Sequence, residues 1–327
     1  VKFPAGRTLW IAALSCCAFG AARATAATAP AKAAPAPYQS IEVRVKTRDG
    51  QTLAGTLTRP AGVAKVPSVL LVSSADATDR DASNNHGLYH PMRQIADTLS
   101  RHGIAVLRLD DRGKGQSTGR LDTLNTAERA NDARDALQFL RARSDIDRRR
   151  IAILGHSEGA LIASMLGAED TTIRALILMA STAHRGRTIV EWQQEYAMQR
   201  APMSPAVRKK EMQQAMAEWN ERLKHDRWSS FFDTYDPLIA ARRIKAPVLI
   251  LQGTSDMSCP PPEATTLESA IKSGGNGDVT LMKIESVDHA FLDVSGFQNG
   301  VAYGDGAFLV PSRVLAAILD WAVPHLR

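Results

Sequence analysis

The sequence predicts an α/β fold: a mostly parallel sheet, helices on both faces, and a short helical cap inserted late in the chain. Three observations predict it. Continuous apolar runs recur at Ser68–Ser73, Ile104–Leu109, Ile151–Leu154, Ala175–Ala180, Pro247–Gly253 and Val279–Ile284, the pattern of strands buried on both faces. Stretches with apolar residues at helical spacing alternate with them. Polar residues able to do chemistry fall just beyond several strand ends, where open parallel sheets gather their sites.

Residues 1–37 stand apart from this alternation. Lys2 and Arg7 precede an apolar stretch, Leu9 to Gly20, that is too short to span a bilayer. Ala22-Arg23-Ala24 then offers a small-x-small cleavage site. We read 1–24 as a signal peptide and 25–37 as an Ala/Pro-rich linker. Export to a periplasm or beyond is the expectation, with a lipoprotein at Cys16 as the minor alternative. Cys16 and Cys17 leave with this segment, so Cys259 is the one cysteine of the mature chain and no internal disulfide is expected. The net charge of +6 includes Lys2, Arg7 and Arg23; removing those three leaves +3. That balance gives no reason to expect a nucleic-acid partner. Arg148-Arg149-Arg150 is a short basic run, expected in a turn before a strand. No stable membrane span is expected after processing.

Residues 38–327 are long enough for one large domain. Ile41 to Lys46 alternates apolar and charged residues, Asp49-Gly50 signals a hairpin, and Leu53 to Leu57 returns. After the Ser68–Ser73 strand comes a polar loop, Ser74 to Asp81. A helix is expected over Met92–His102 and another over Ala127–Arg143. Residues His184 to Ile239 break the alternation and read as the helical cap, with helices near Ile189–Gln199 and Pro205–Leu223. Its aromatic residues, Trp192, Tyr196, Trp219, Trp228, Phe231 and Phe232, together with Met198, either line a substrate cleft or bury the cap against the core. Trp192, Tyr196, Trp228 and Phe231 are the candidate substrate contacts. A last helix, Ser312–His325, closes the chain.

The stretch Ile151 to Gly159 carries the chemistry. The run Ile151-Ala152-Ile153-Leu154 stops at Gly155, and Gly155-His156-Ser157-Glu158-Gly159 leads into the apolar helix from Ala160. Strand, sharp turn and helix with G-x-S-x-G at the turn is the pattern of a nucleophile elbow. It exposes the serine hydroxyl at the strand end, where side chains at either glycine would collide with neighbouring backbone. A serine hydroxyl is a poor nucleophile near neutral pH and needs a base. His289 follows the last strand and fits that role, and Asp256 follows the strand ending at Gly253 and would orient it. Asp288 competes with Asp256. His86 and His90 have the spacing of a metal pair, but Gly87 and Pro91 argue against the helix such a pair needs. The order Ser, Asp, His is that of α/β-hydrolases rather than of chymotrypsin-like or subtilisin-like enzymes.

With these residues in place, the chain from about residue 40 resembles the α/β-hydrolase superfamily. More narrowly it is similar to exported bacterial hydrolases related to esterases and to the serine aminopeptidase and prolyl-oligopeptidase-like groups. The motifs are Val69–Ser73 with Asp79-Arg80-Asp81, Leu107 to Gly113 with Gly115 and Ser117, the elbow, Gln252-Gly253-x-x-Asp256 and Asp288-His289-x-Phe291. The resemblance implies a serine hydrolase acting on a small carboxylic ester, with a short peptide or a thioester as alternatives on the same three residues. It implies no metal or organic cofactor. The oxyanion hole is expected from the backbone N–H groups of Glu158 and Ala75. One departure stands out: relatives carry H-G-x-G or S-G-x-G where this chain has Ser73-Ser74-Ala75-Asp76. Asp76 sets a carboxylate beside the place where an anion must develop, which also motivates an alternative of another class, a non-catalytic binding protein on this fold. Asp110, Asp111 and Arg112 are read as structural.

Overall fold

The computed structural model describes residues 37–83, 88–199, 203–295 and 308–327. The targeting segment and most of the linker, and His86, lie outside them. Eight strands form one sheet: β1 (Tyr38–Lys46), β2 (Thr52–Pro60), β3 (Val66–Val72), β4 (Ala105–Leu109), β5 (Ile146–His156), β6 (Ala175–Met179), β7 (Val248–Gly253) and β8 (Val279–Ile284). Their order is β1-β2-β4-β3-β5-β6-β7-β8. The β1–β2 hairpin is antiparallel and β2 pairs antiparallel with β4; every other pairing is parallel. The mostly parallel sheet read from the sequence is therefore the one observed.

Both faces of the sheet are covered, which is why its inner strands are apolar without alternation. Ile151, Ile153, Leu176, Leu178, Val248 and Ile250 pack on one face against α2 (Thr126–Ala142), α3 (Glu158–Glu169) and α8 (Pro261–Ser273). Ala152, Leu154, Ile177, Met179, Leu249 and Leu251 point the other way, onto α1 (Pro91–Arg101) and α9 (Ser312–Leu326). Local chemistry starts the helices, both the expected α1 and α2 and the α8 that the sequence reading did not anticipate. Asn125 and Glu128 form a reciprocal capping box on α2, and proline sits in the first turn of α1 and α8.

The cap consists of α4 (Gly186–Gln199), α5 (Pro205–Leu223), α6 (Arg227–Thr234) and the short α7 (Pro237–Ala241). Two expectations change. The cap's last helix runs to Ala241, past the expected Ile239, because Asp236 caps it and Pro237 starts it. Arg148-Arg149-Arg150 does not form a turn: β5 already begins at Ile146, and its register against β3 shifts between Val66 and Ser68. The ladder skips these residues, the Arg149 N–H donates to Asp147 Oδ1 at 3.0 Å, and Arg148 and Arg149 stay exposed, so no apolar run marks this part of the strand.

Candidate active site

The carboxyl ends of β5, β7 and β8 lie at one edge of the sheet, and each delivers one polar side chain there. Ser157 follows β5 with φ 56° and ψ −117°, a strained left-handed conformation for a residue with a Cβ. The surroundings hold it there. Its N–H donates to the Met179 carbonyl at 2.9 Å. A Cβ at Gly155 would overlap the Gly159 backbone, and one at Gly159 would overlap the Val72 carbonyl. Ser157 occupies the N-cap position of α3, yet its side chain makes no capping bond. Its hydroxyl lies instead 3.1 Å from His289 Nε2.

His289 Nδ1 faces Asp256 at 2.9 Å (Oδ2) and 3.1 Å (Oδ1). Asp256 is buried, and its remaining lone pairs are occupied. The N–H groups of Ser258 and Cys259 donate to Oδ1 at 2.8 Å, and Gln252 Nε2 donates to Oδ2 at 3.0 Å. Burial pushes its pKa up, but His289 and the two amides outweigh burial, so the carboxylate stays below its ordinary value. Burial pushes His289 down, but Asp256, with Cys259 acting in the same sense, lifts it well above the usual imidazole value. Asp288, the competing carboxylate, turns away to accept the Leu292 N–H at 2.8 Å, and burial raises its pKa.

Four residues outside the expected set support this constellation. His156 Nε2 lies 2.8 Å from the His289 carbonyl, and its ring packs on His289 with centroids 5.0 Å apart. Burial, then the charge of His289, lowers the His156 pKa to about 4, so it is a neutral donor at physiological pH. Tyr89 donates to the Ala290 carbonyl at 2.7 Å. Both pin the loop that carries His289. Arg129 is buried between Glu158 and Asp111, contacting the Glu158 carboxylate directly and Asp111 Oδ2 at 2.8 Å. Thr126 Oγ1 adds a 2.6 Å bond to Glu158. The side chain of Glu158 is therefore held by partners from α2 and stays buried. Gln252 is the fourth, through its bond to Asp256. No sequence motif separates Tyr89 and Arg129 from ordinary buried polar residues; His156, next to the elbow serine, and Gln252, in the motif that ends at Asp256, carried a positional hint.

Glu158 opens α3, so its N–H has no intrahelical partner. Ala75 lies in the turn after β3, half-buried, where Val72 and Ser73 abut Gly159 of the elbow. Asp76 is exposed, and Ser74 Oγ donates to its Oδ1 at 2.5 Å. Its charge is nonetheless felt at His156. Asp110 and Arg112 are structural, as read: Asp110 pairs with Arg80 at 2.8 Å, and Arg112 bridges Asp49 and Asp132 at 2.5 Å each.

The cap aromatics divide. Trp192 and Tyr196 stack on α4 with centroids 5.1 Å apart, both half-buried. Helix α4 meets the loop of Asp256, where Gln193 Nε2 donates to the Ser258 carbonyl at 2.8 Å. Trp228 stacks on Phe232, whereas Phe231 stacks on Tyr235 and packs against the sheet-covering core. Met198 and Trp219 are buried within the cap, the latter donating to Asp233 at 2.7 Å. Phe231, Met198 and Trp219 thus serve packing.

Comparison with known proteins agrees with this architecture. An uncharacterized protein of Mycobacterium tuberculosis is 36% identical over 123 residues, covering 37% of this chain and 39% of that protein. The thiohydrolase apmlB of Arthrinium phaeospermum is 31% identical over 140 residues, 42% of either chain. The matches thus span about two fifths of these curated relatives. Est1E of Butyrivibrio proteoclasticus, solved with ferulic acid bound, shares the fold at a TM-score of 0.60 and 17% identity, covering 87% of this chain and 99% of that one. The family model described as serine aminopeptidase, S33, matches residues 84–293, a stretch that holds the elbow, the Asp256 loop and His289. On that match, and on the sheet built around it, the chain belongs to this family of α/β-hydrolases.

Proposed function

We propose that the protein is a serine hydrolase that cleaves small carboxylic esters through an acyl-enzyme. The observation that carries the reading is the unbroken chain Ser157 Oγ, His289, Asp256, set on a strained elbow. Ser157 Oγ attacks the ester carbonyl carbon as His289 Nε2 takes its proton. Asp256 holds the imidazole in the Nδ1–H tautomer and stabilises the imidazolium. The N–H groups of Glu158 and Ala75 receive the oxyanion, each such donor contributing roughly 3–4 kcal/mol to the transition state. His289 then protonates the departing alkoxide. Water, deprotonated by the same nitrogen, releases the acid and restores Ser157. Trp192, Tyr196 and Trp228 are the side chains we place nearest the substrate. We further propose that the mature enzyme is exported after cleavage near Ala24.

A panel of p-nitrophenyl esters, aminoacyl anilides and acyl thioesters tests the substrate class. The ester reading expects kcat/KM highest on short esters and lost in Ser157→Ala; preference for the anilides overturns it. Asp76 favours a second reading, peptidase action on a free amino terminus, because an exposed carboxylate beside the oxyanion loop suits an ammonium group. Asp76→Asn discriminates. If Asp76 binds a substrate ammonium, KM for aminoacyl substrates rises about tenfold, the scale of one ~1.4 kcal/mol contact, and esters are unaffected. On the ester reading the variant is as fast as wild type or faster, since a repelling charge has been removed.

A further inference from the structure

We propose that Asp256, Cys259 and His289 form a binding site for a thiophilic divalent cation, zinc or cadmium, whose occupation switches the enzyme off. One ligand atom from each of the three lies within 4.8 Å of the other two. Cys259 is placed there by its own backbone: its N–H donates to Asp256 Oδ1, and its carbonyl accepts from Gln252 Nε2 at 3.2 Å. Among the described residues it is the free cysteine, and its sulfur forms and breaks no bond in the proposed hydrolysis. The donor set is that of a soft cation: thiolate, imidazole nitrogen and carboxylate. Thiolate and carboxylate together neutralise a doubly charged ion, so the site does not bury net charge.

The geometry asks for little movement. A tetrahedral zinc ion with bonds of about 2.0–2.3 Å spaces its ligands roughly 3.3–3.7 Å apart, so no pair has to close by more than about 1.5 Å. The supporting shell is in place. Gln252 Nε2 and the Ser258 amide hold Asp256 in orientation, as outer partners hold metal ligands. Gln252 Oε1 is a buried acceptor with no hydrogen-bond partner in the protein, on the side chain that touches both Asp256 and Cys259. His289, a quarter exposed, offers the way in.

The consequence follows from the proton balance. Cys259 gives up its thiol proton to solvent as its sulfur binds the cation. The nitrogen of His289 that faces Asp256 is Nδ1; when its lone pair goes to the cation, the imidazole proton moves to Nε2. An Nε2–H imidazole cannot take the Ser157 proton, so attack stops. Chelation reverses both transfers. Inhibition rests on the proposed role of His289 as base, whereas cation binding does not.

The experiment separates the two. Purified Ser157→Ala protein is titrated with cadmium and the ultraviolet thiolate-to-cadmium absorption is read; one equivalent should produce it, and magnesium should not. The same protein carrying Cys259→Val or Cys259→Ser should give no band. In parallel, wild-type ester hydrolysis is measured with zinc, with cadmium, and after EDTA. We expect at least a roughly tenfold loss of rate, restored by the chelator, and at least a roughly tenfold higher half-inhibitory concentration in both Cys259 variants. Absence of the absorption band from folded Ser157→Ala protein overturns the site, whatever the enzyme's activity. Equal inhibition of wild type and both Cys259 variants overturns the assignment of Cys259 as the ligand that makes the site.

Discussion

At the scale of single residues, two histidines whose rings pack together at a tilt play opposite electrostatic parts. His156 is kept neutral by burial, with a pKa of about 4, and spends its proton on the His289 carbonyl. Desolvation pushes His289, itself partly buried, the same way, yet Asp256 outweighs it and raises its pKa. In the proposed mechanism a protonated His289 cannot act as base, so activity should be absent well below its pKa and rise with pH through it. The acid limb of kcat/KM should therefore titrate above about 6.5, the unperturbed imidazole value. Asp256→Asn removes the charge that raises it. Its acid limb should move to lower pH while kcat falls by about 10⁴, the scale seen when a triad carboxylate is neutralised. A limb that stays where it is in Asp256→Asn would assign the observed titration to another group. The serine, histidine and aspartate were legible in the sequence because each sits in a motif at a strand end. His156, Tyr89 and Arg129 were not, because their partners lie further along the chain, on other elements; His156 and His289 are 133 positions apart. Gln252 stood in a motif, but its bond to Asp256, four positions on, was not read from it.

At the scale of elements, the elbow is where strand β5, helix α3 and the end of β3 are pressed together. Two glycines permit it, and the sequence showed both. Gly159→Ala places a methyl group against the Val72 carbonyl and the Ser73 backbone. Since backbone on both sides cannot yield, α3 must shift away from the sheet. We expect a loss of about 1–3 kcal/mol, the usual cost of overpacking, and loss of activity out of proportion to it, because the Glu158 N–H moves with the helix. Thermal unfolding and ester hydrolysis on the same preparation check this; a variant with unchanged melting temperature and rate would mean that the crossing is looser than described. Strands and helices of the sheet were legible because they are apolar at period one or 3.6. The overhang of β5 through Arg148–Arg150 was not, because a strand's solvent-exposed end carries no apolar signal. The division of cap aromatics into stacked, half-buried and buried rings was illegible for a related reason: composition alone does not say which ring faces which neighbour.

At the scale of the molecule, the site exists only when the whole sheet is built, since its three side chains come from β5, β7 and β8, on four consecutive strands of the order. A buried polar network joins this edge to the rest. Thr126 and Arg129 of α2 hold Glu158 of α3, and Arg129 also holds Asp111 of the loop after β4. Arg129→Met would leave Glu158 without its counter-ion in the interior. Breaking a buried pair from one side costs about 3–5 kcal/mol. For a domain of this size that corresponds to a melting temperature lower by roughly 5–8 °C. The double variant Arg129→Met/Glu158→Gln should recover part of it, because the stranded charge is gone. A scanning-calorimetry series on the three proteins measures this, and an Arg129→Met variant as stable as wild type would contradict the role given to the network.

The central claim is that Ser157 is a nucleophile activated by His289. The most direct measurement is reaction of the purified protein with a fluorophosphonate, followed by peptide mass spectrometry. The account predicts one adduct, on the peptide containing Ser157, formed more slowly as pH falls below the His289 pKa and absent from Ser157→Ala. Folded wild-type protein that takes up no label, or takes it up at a residue other than Ser157, would contradict it.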